Sequence, residues 1–287
     1  MNRAYIEPPA EWARLEARGF GPFVTHATFR RPDGVIVTWE SRRHRKRARG
    51  ARARHDSTWF APSAVGWWIG VLFMVGSACF ALGALPGYVH LVGVRADNIT
   101  YFIGSLFFTA AGYLQFWEVV NAPRAIDGDE AQRRRFVAWD PGRIDWCSTA
   151  VQSVGTLAFN VSTGSALLQS LDSQQVHRLV WAPDMFGSAC FLIASGLSWA
   201  EVSHGRLLRP VFTISGWIAM LNLVGSIAFG VSAVAAKVVH GATQPRNIEL
   251  VNLGTFVGAI CFLVGAALLL PERTEHEPTT TGAAVPT

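Results

Sequence analysis

Between Val65 and Leu270 the chain is a succession of apolar runs of about twenty residues, the length a helix needs to cross a ~30 Å hydrocarbon layer. The first, Val65–Leu85, reads VGWWIGVLFMVGSACFALGAL and has no Asp, Glu, Lys or Arg. Six spans are predicted: Val65–Leu85, Ile99–Val120, Trp146–Leu168, Met185–Val202, Val211–Val239 and Leu250–Leu270. The fifth is long; Lys237 can snorkel from its far end, so the apolar part stops near Ala236.

One pattern recurs near the middle of every run: Gly, then Ser, Thr or Ala, then Phe at +4 and a small residue at +7. The copies are Gly76-Ser77-Phe80-Gly83, Gly104-Ser105-Phe108-Ala111, Gly155-Thr156-Phe159-Ser162, Gly187-Ser188-Phe191-Ala194, Gly225-Ser226-Phe229-Ser232 and Gly258-Ala259-Phe262-Gly265. Within successive pairs the glycines are 28, 32 and 33 residues apart, which makes each pair a helical hairpin with a short outer turn. At about 100° per residue, positions 0, +4, +7 and +14 lie on one stripe. Small residues seven apart there predict close, left-handed helix packing, with Phe filling the groove beside the seam.

The flanks are polar. Residues 1–60 hold two strand-like runs, Phe23–Phe29 and Val35–Glu40, joined by Arg31-Pro32-Asp33-Gly34, a turn sequence that predicts a β-hairpin. A lone hairpin is marginal in water, so it is expected to lean on the membrane face or on a helical stretch at Ala10–Ala17. After it, SRRHRKRARGARAR carries eight basic side chains from Arg42 to Arg54. These read as a topology anchor touching anionic lipid headgroups; nucleic-acid binding would use the same charges, but no recognition fold accompanies them. The membrane hairpins occupy 65–121, 145–203 and 210–272, and the Thr- and Pro-rich tail 273–287 is expected to be disordered and cytoplasmic.

Charge sets the orientation. The loops after spans one, three and five hold Arg95, Arg178 and Arg246, whereas the other side holds sixteen basic residues, including Arg124, Arg133, Arg134, Arg135 and Arg143. The positive-inside rule therefore puts both termini in the cytoplasm of a plasma-membrane protein. Trp67, Trp68, Trp117, Trp146, Trp199 and Trp217 fall at the same ends of the spans, where an amphipathic ring prefers the headgroup level. Composition agrees: 50% of residues are hydrophobic, mean hydropathy is +0.26, and 16% are charged against about 25% in soluble chains. The preference for Arg over Lys fits a bacterial source. Cys79, Cys190 and Cys261 each occupy position +3 of a repeat and Cys147 lies near a membrane entry, so no disulfide or zinc framework is predicted. With Glu7, Glu11 and Glu16, two prolines and no apolar stretch, Met1–Phe20 is not expected to act as a secretory signal.

Candidate chemistry is sparse. Position +14 is Glu118, Glu201 or Glu272 in the even spans, where the helix dipole opposes a carboxylate. Three readings stand: interfacial pairs with Arg124, Arg206 or Arg273, inheritance from a duplicated ancestor, or a cytoplasmic carboxylate layer lining a vestibule or cation site. Gln152, Asn160, Asn222 and Asn252 lie inside spans, as interhelical hydrogen-bond glue or as the lining of a polar pathway. His90, His177 and His240 sit one to each outer loop at differing offsets from the glycines, which argues against a shared metal. No phosphate loop, HExxH, GxSxG or dinucleotide fingerprint occurs, and no charge sits in the middle third of any span. Enzymes and proton-coupled pumps are thereby disfavoured, and neither cofactor nor metal is expected.

The runs MVGSACFALGALP, YFIGSLFFTAAGYLQFWE and PDMFGSACFLIAS resemble the YrhK-like family of small bacterial membrane domains. The resemblance covers roughly 65–272 and implies three tandem two-helix domains, with no catalytic residues to carry over. The expectation is an all-α, six-span, non-enzymatic membrane protein with a structural or interaction role. The alternative is a small-solute channel or transporter lined by the Asn and Gln side chains.

Overall fold

A computed structural model describes residues 6, 8–47, 58–126, 134–168, 170–237 and 247–272. The amino-terminal part forms a three-stranded antiparallel sheet: β1 (Ala13–Phe20), β2 (Phe23–Arg30) and β3 (Ile36–Glu40), in that order. The Pro-Asp-Gly turn joins β2 to β3 with Gly34 at φ 84, as its chemistry dictates. The segment expected to be helical, Ala10–Ala17, instead contributes β1. A hairpin alone leaves β2 with an open edge, and a second reversal at Gly21 (φ 53) lets Ala13–Phe20 pair along it. Ile6, Val24, Ala27, Phe29 and Trp39 form the sheet's own small core, with Trp12 and Ile126 against it.

A seven-residue helix, α1 (Ser41–Arg47), follows β3 without a break. The remaining long helices are α2 (Val65–Gly83), α4 (Val94–Val120), α5 (Ile144–Ser165), α7 (Ala182–Val202), α8 (Ile214–Ala235) and α9 (Ile248–Glu272); α3 (Pro86–Val92) and α6 (Ser173–Gln175) are short. Between α6 and α7, Val176–Trp181 is a π-helical segment. Pro183 begins α7 and cannot donate to the preceding turn, so the turn before it widens rather than break the helix. The fifth apolar run ends in helix at Ala235, close to the point where Lys237 had marked its limit.

By length and composition five helices can cross a membrane: α2, α4, Ser173–Val202, α8 and α9. The expected third span, α5, has a spanning length of 22 residues but carries Asp145, Thr149, Gln152, Ser153, Asn160 and Thr163, which lower its hydropathy. It nonetheless packs as a full member of the bundle. Contacts run α2–α4, α4–α5, α5–α7, α7–α8 and α8–α9, and α9 returns to α2, so the helices close into a ring.

The recurring Phe fills the centre of that ring. Phe80, Phe159 and Phe229 form one triangle with centroid separations of 6.3, 6.0 and 6.4 Å. Phe108, Phe191 and Phe262 form a second, at 6.0, 6.1 and 5.6 Å. The triangles are joined by Phe80–Phe108, Phe159–Phe191 and Phe229–Phe262 at 5.4, 5.2 and 5.4 Å. These rings sit against the seam glycines and also converge on the axis, and the near-equal edges describe an approximate three-fold arrangement.

The glycines explain how the rings get there. A Cβ at Gly76 would lie 2.6 Å from the Phe108 ring and 3.0 Å from the Gly104 carbonyl; one at Gly104 would meet Cys79 and Phe80. Gly155 faces Cys190 and Phe191, Gly187 faces Phe159, Gly225 faces Phe262 and Gly258 faces Phe229 in the same way. Each glycine thus gives space to the partner helix's Phe, at 2.6–3.0 Å from where a Cβ would stand, closer than side-chain carbons ordinarily pack. Gly83 accepts Tyr101 and Gly265 accepts the Asn222 side chain in the turn beyond.

Candidate functional site: a basic helix in a carboxylate layer

The +14 carboxylates come together at one end of the ring, around α1. Arg42, Arg45 and Lys46 are spaced i, i+3, i+4 and so occupy one helical face. Arg42 Nε donates to Glu272 Oε1 at 2.6 Å, Arg45 Nη1 to Glu201 Oε1 at 3.2 Å, and Lys46 Nζ to Glu118 Oε2 at 2.9 Å. Between Arg42 and Lys46 the helix axis advances only ~6 Å, so the three glutamates form a compact layer. All three are buried.

A fourth carboxylate completes it. Arg45 Nη1 also donates to Asp145 Oδ2 at 2.6 Å. Asp145 is held in turn by Arg143, through Nε at 3.0 Å and Nη2 at 2.7 Å, and by the Trp146 backbone N–H at 2.9 Å. An Asp in the first turn of α5 is favoured by the helix dipole, unlike the glutamates at helix C-termini. Arg143 also donates to the Val119 carbonyl at 3.0 Å, tying the end of α4 to the start of α5. Hydroxyls add further donors: Ser41 donates to Glu201 Oε1 at 2.5 Å and Ser215 to Glu272 Oε1 at 2.8 Å, while the buried Glu272 Oε2 has no hydrogen-bond partner among the described residues. With the amino-terminal turn of α2 at Gly66 lying close to Glu118 and Lys46, every long helix of the ring reaches this layer.

Burial works against the charge on Arg45, but Glu201, Asp145 and Glu118 outweigh it and hold its pKa above the ordinary arginine value. Arg45 is therefore a fixed cation. The layer is a charge-matched lock, because removing either side strands a buried ion.

The sequence had suggested Arg124, Arg206 or Arg273 as partners of the glutamates. Arg124 instead pairs with Asp140 at 3.3 Å, Arg206 is exposed, and Arg273 lies outside the described residues. The basic run had been read as facing lipid headgroups. Its first half does not: Arg42, Arg45 and Lys46 point into protein, and Arg43 pairs with Glu40 at 3.2 Å. Residues 48–54 lie outside the described residues, as do His240 and the tail from 273 onward. Asp145, Arg143 and Ser41 are the members that sequence reasoning missed. The signal was there: Asp145 opens α5, and the α1 cations share one face.

The amides within the long helices are spread among different interfaces. Asn160 donates to Thr109 Oγ1 at 2.9 Å between α5 and α4, whereas Asn222 lies against Gly265 between α8 and α9. Gln152 and Asn252 are half-buried. Hydroxyl pairs stitch neighbouring helices nearby, with Ser105 and Thr163 2.9 Å apart and Ser195 and Ser226 2.8 Å apart. His90 sits in α3 and His177 stacks beside Trp181; among the described residues no group of three side chains suits a metal.

Three apolar flaps surround the lock, one before each of α2, α5 and α8. They expose Trp59 and Phe60, then Phe136, Val137 and Trp139, then Leu207, Leu208 and Phe212. Each is fastened by an indole N–H: Trp67 to the Trp59 carbonyl at 3.0 Å, Trp146 to Ala138 at 2.8 Å and Trp199 to Leu207 at 2.9 Å. The sheet domain meets the third flap, where a Cβ at Gly205 would strike the Gly19 carbonyl. His204 lies there too, its Nδ1 3.1 Å from Thr25 Oγ1 and its ring 5.2 Å from that of His26. Burial holds the His204 pKa below its ordinary value, with Glu40 opposing and His26 adding to the shift.

Comparison with known proteins adds no assignment: no family model, no curated protein and no solved structure matches the chain.

Proposed function

We propose that the chain is a non-enzymatic membrane scaffold in which all six long helices, α5 included, cross the bilayer as three YrhK-like hairpins and hold the sheet domain against the cytoplasmic face for a protein partner. The observation that carries this reading is the ion lock: Arg42, Arg45 and Lys46 of α1 bind carboxylates from four helices drawn from all three pairs. A small domain fastened so firmly to a bundle is presented in a fixed orientation, which is what a docking platform requires. The repetition of glycine–phenylalanine contacts in each pair supports an origin by duplication of one hairpin. Inclusion of α5 is supported by its length and by polar side chains that bond across to α4, Ser153 to the Gly112 carbonyl at 3.3 Å and Asn160 Nδ2 to Thr109 Oγ1 at 2.9 Å. The indole-fastened flaps, with Trp and Phe exposed, suit the headgroup level, and the basic residues gathered at the same ends of the helices support a cytoplasmic side for the lock.

The solute-pathway alternative is disfavoured by the six phenylalanines packed on the axis. The test is a pair of measurements on the full chain. Reporters fused near His90 and near Arg134 should report opposite sides of the membrane, and proteoliposomes should show no solute flux above empty vesicles. Reporters on the same side would overturn the topology. Sustained flux that is lost in Asn160→Leu would replace the scaffold with a channel.

A further inference from the structure

Beside the ion lock lies a cavity of about 350 Å³ whose walls come from three places: the β3–α1 junction, the end of α7 and the loop leading into α8. Its formation begins with the way α7 stops. His204 at φ 50 and Gly205 at φ 79 reverse the chain, the Gly205 N–H returning to the Ala200 carbonyl at 3.1 Å and the His204 N–H to Glu201 at 3.3 Å. That reversal turns Arg206 and Arg209 back toward α1.

The charge in the cavity is not balanced. Glu40 answers Arg43, Glu201 answers Arg45, and Arg42 is answered by Glu272. Arg206 and Arg209 line the same space, and among the described residues no carboxylate lies within ion-pair distance of either. A second observation points to a ligand there. Ser203, 4% exposed, also lines the cavity, and among the described residues its Oγ has no hydrogen-bond partner. Two guanidinium groups with no carboxylate partner among the described residues, beside such a hydroxyl, are the donor set of a phosphate site.

The surroundings decide where such a phosphate comes from. Leu208 is 99% exposed and Phe212 78%, with Leu207 beside them. A loop that reads RLLRPVF, with both arginines turned to a cavity and Leu207, Leu208 and Phe212 bare, matches a lipid interface where acyl chains meet headgroups. We infer that this cavity binds the phosphate of an anionic phospholipid headgroup, held by Arg206, Arg209 and Ser203, while Leu207, Leu208 and Phe212 lie along its glycerol and upper acyl segments. The inference rests on the membrane placement proposed above and adds a stoichiometric lipid beside the lock.

The experiment uses the full-length protein in detergent, with bound lipid counted by native mass spectrometry after mixing equal dioleoyl phosphatidylglycerol and dioleoyl phosphatidylcholine. Expected is retention of one phosphatidylglycerol with at least a tenfold preference over phosphatidylcholine. Arg206→Gln/Arg209→Gln should abolish that preference, Arg206→Lys/Arg209→Lys should keep most of it, and Arg95→Gln/Arg178→Gln, which removes the same charge elsewhere, should leave it intact. Inorganic phosphate and glycerol phosphate, each tested alone at millimolar concentration, should neither bind nor displace the lipid. Displacement by either would overturn the lipid in favour of a soluble phosphate ligand. Equal loss in the Arg95/Arg178 control, or unchanged retention in the glutamine double variant, would overturn the site itself. A topology failure in the reporter assay with lipid retention intact would separate the fate of this inference from that of the scaffold.

Discussion

Replacing Arg45 by Met removes the central cation of the lock while keeping much of its volume. Its side chain is 5% exposed, and those of Glu201 and Asp145 are 3% and 2% exposed, so solvent cannot take over when the guanidinium goes. Breaking a buried ion pair from one side costs roughly 3–5 kcal/mol. Here the lower end applies. Asp145 keeps both bonds from Arg143, and Glu201 keeps the Ser41 hydroxyl at 2.5 Å, so neither carboxylate is wholly stranded. About 3 kcal/mol is a little over a hundredfold in the equilibrium between docked and undocked α1. The assay is equilibrium unfolding in mixed micelles combined with amide exchange of α1 and β2, which should lose protection while the bundle around Phe108 and Phe191 keeps it. Arg45→Met/Glu201→Gln should recover more than 1 kcal/mol of the loss, a coupling that a double-mutant cycle isolates. Because the pairs are buried, the loss should vary little with salt. A cost below 1 kcal/mol with no coupling would refute the lock, and the α1 charges would then be ordinary interfacial residues.

Glycine position should separate close approach from mere presence. Gly155→Ala puts a Cβ 2.9 Å from Cys190 and 3.0 Å from Phe191 and should cost about 1–3 kcal/mol in micelle unfolding, whereas Gly230→Ala meets nothing within 4 Å and should be neutral or gain about 0.5–1 kcal/mol. Equal effects would mean that the seam is incidental. Phe191→Ala, at a ring 1% exposed with three aromatic neighbours on the axis, should cost about 3–5 kcal/mol by the same measurement, and a loss under 1 kcal/mol would show a loosely filled centre. His204 has a folded pKa below its ordinary 6.5, so the unfolded chain binds its proton first. Its contribution is complete above pH 6.5 and is lost as pH falls from there through the depressed value. The protection factors of the β2 amides, taken against the intrinsic base-catalysed rate at each pH, should therefore fall on acidification in that window, and His204→Asn, which tolerates the left-handed φ of 50, should flatten the profile. An unchanged slope in that variant would remove His204 from the docking contact.

What could be read from the sequence was whatever is local or periodic. Apolar run length placed the long helices within a few residues, the Pro-Asp-Gly turn placed β2 and β3, and the recurring Gly and Phe marked the helix faces that meet. Those features depend on the chain's own spacing and need no knowledge of neighbours. The identity of the contacts did depend on neighbours. Ala10–Ala17 has no strong pattern of its own, and the open edge of β2 made it a strand. The +14 glutamates announced an ionic layer, but their cations come from α1, seventy to two hundred and thirty residues away, so only ring closure through α9 and α2 could bring them together. Helix periodicity fixes which side of a helix is sticky, since that follows from 3.6 residues per turn. Which surface it meets is decided by tertiary packing, and the carboxylates at the helix ends meet the α1 cations only because the closed ring brings those ends together.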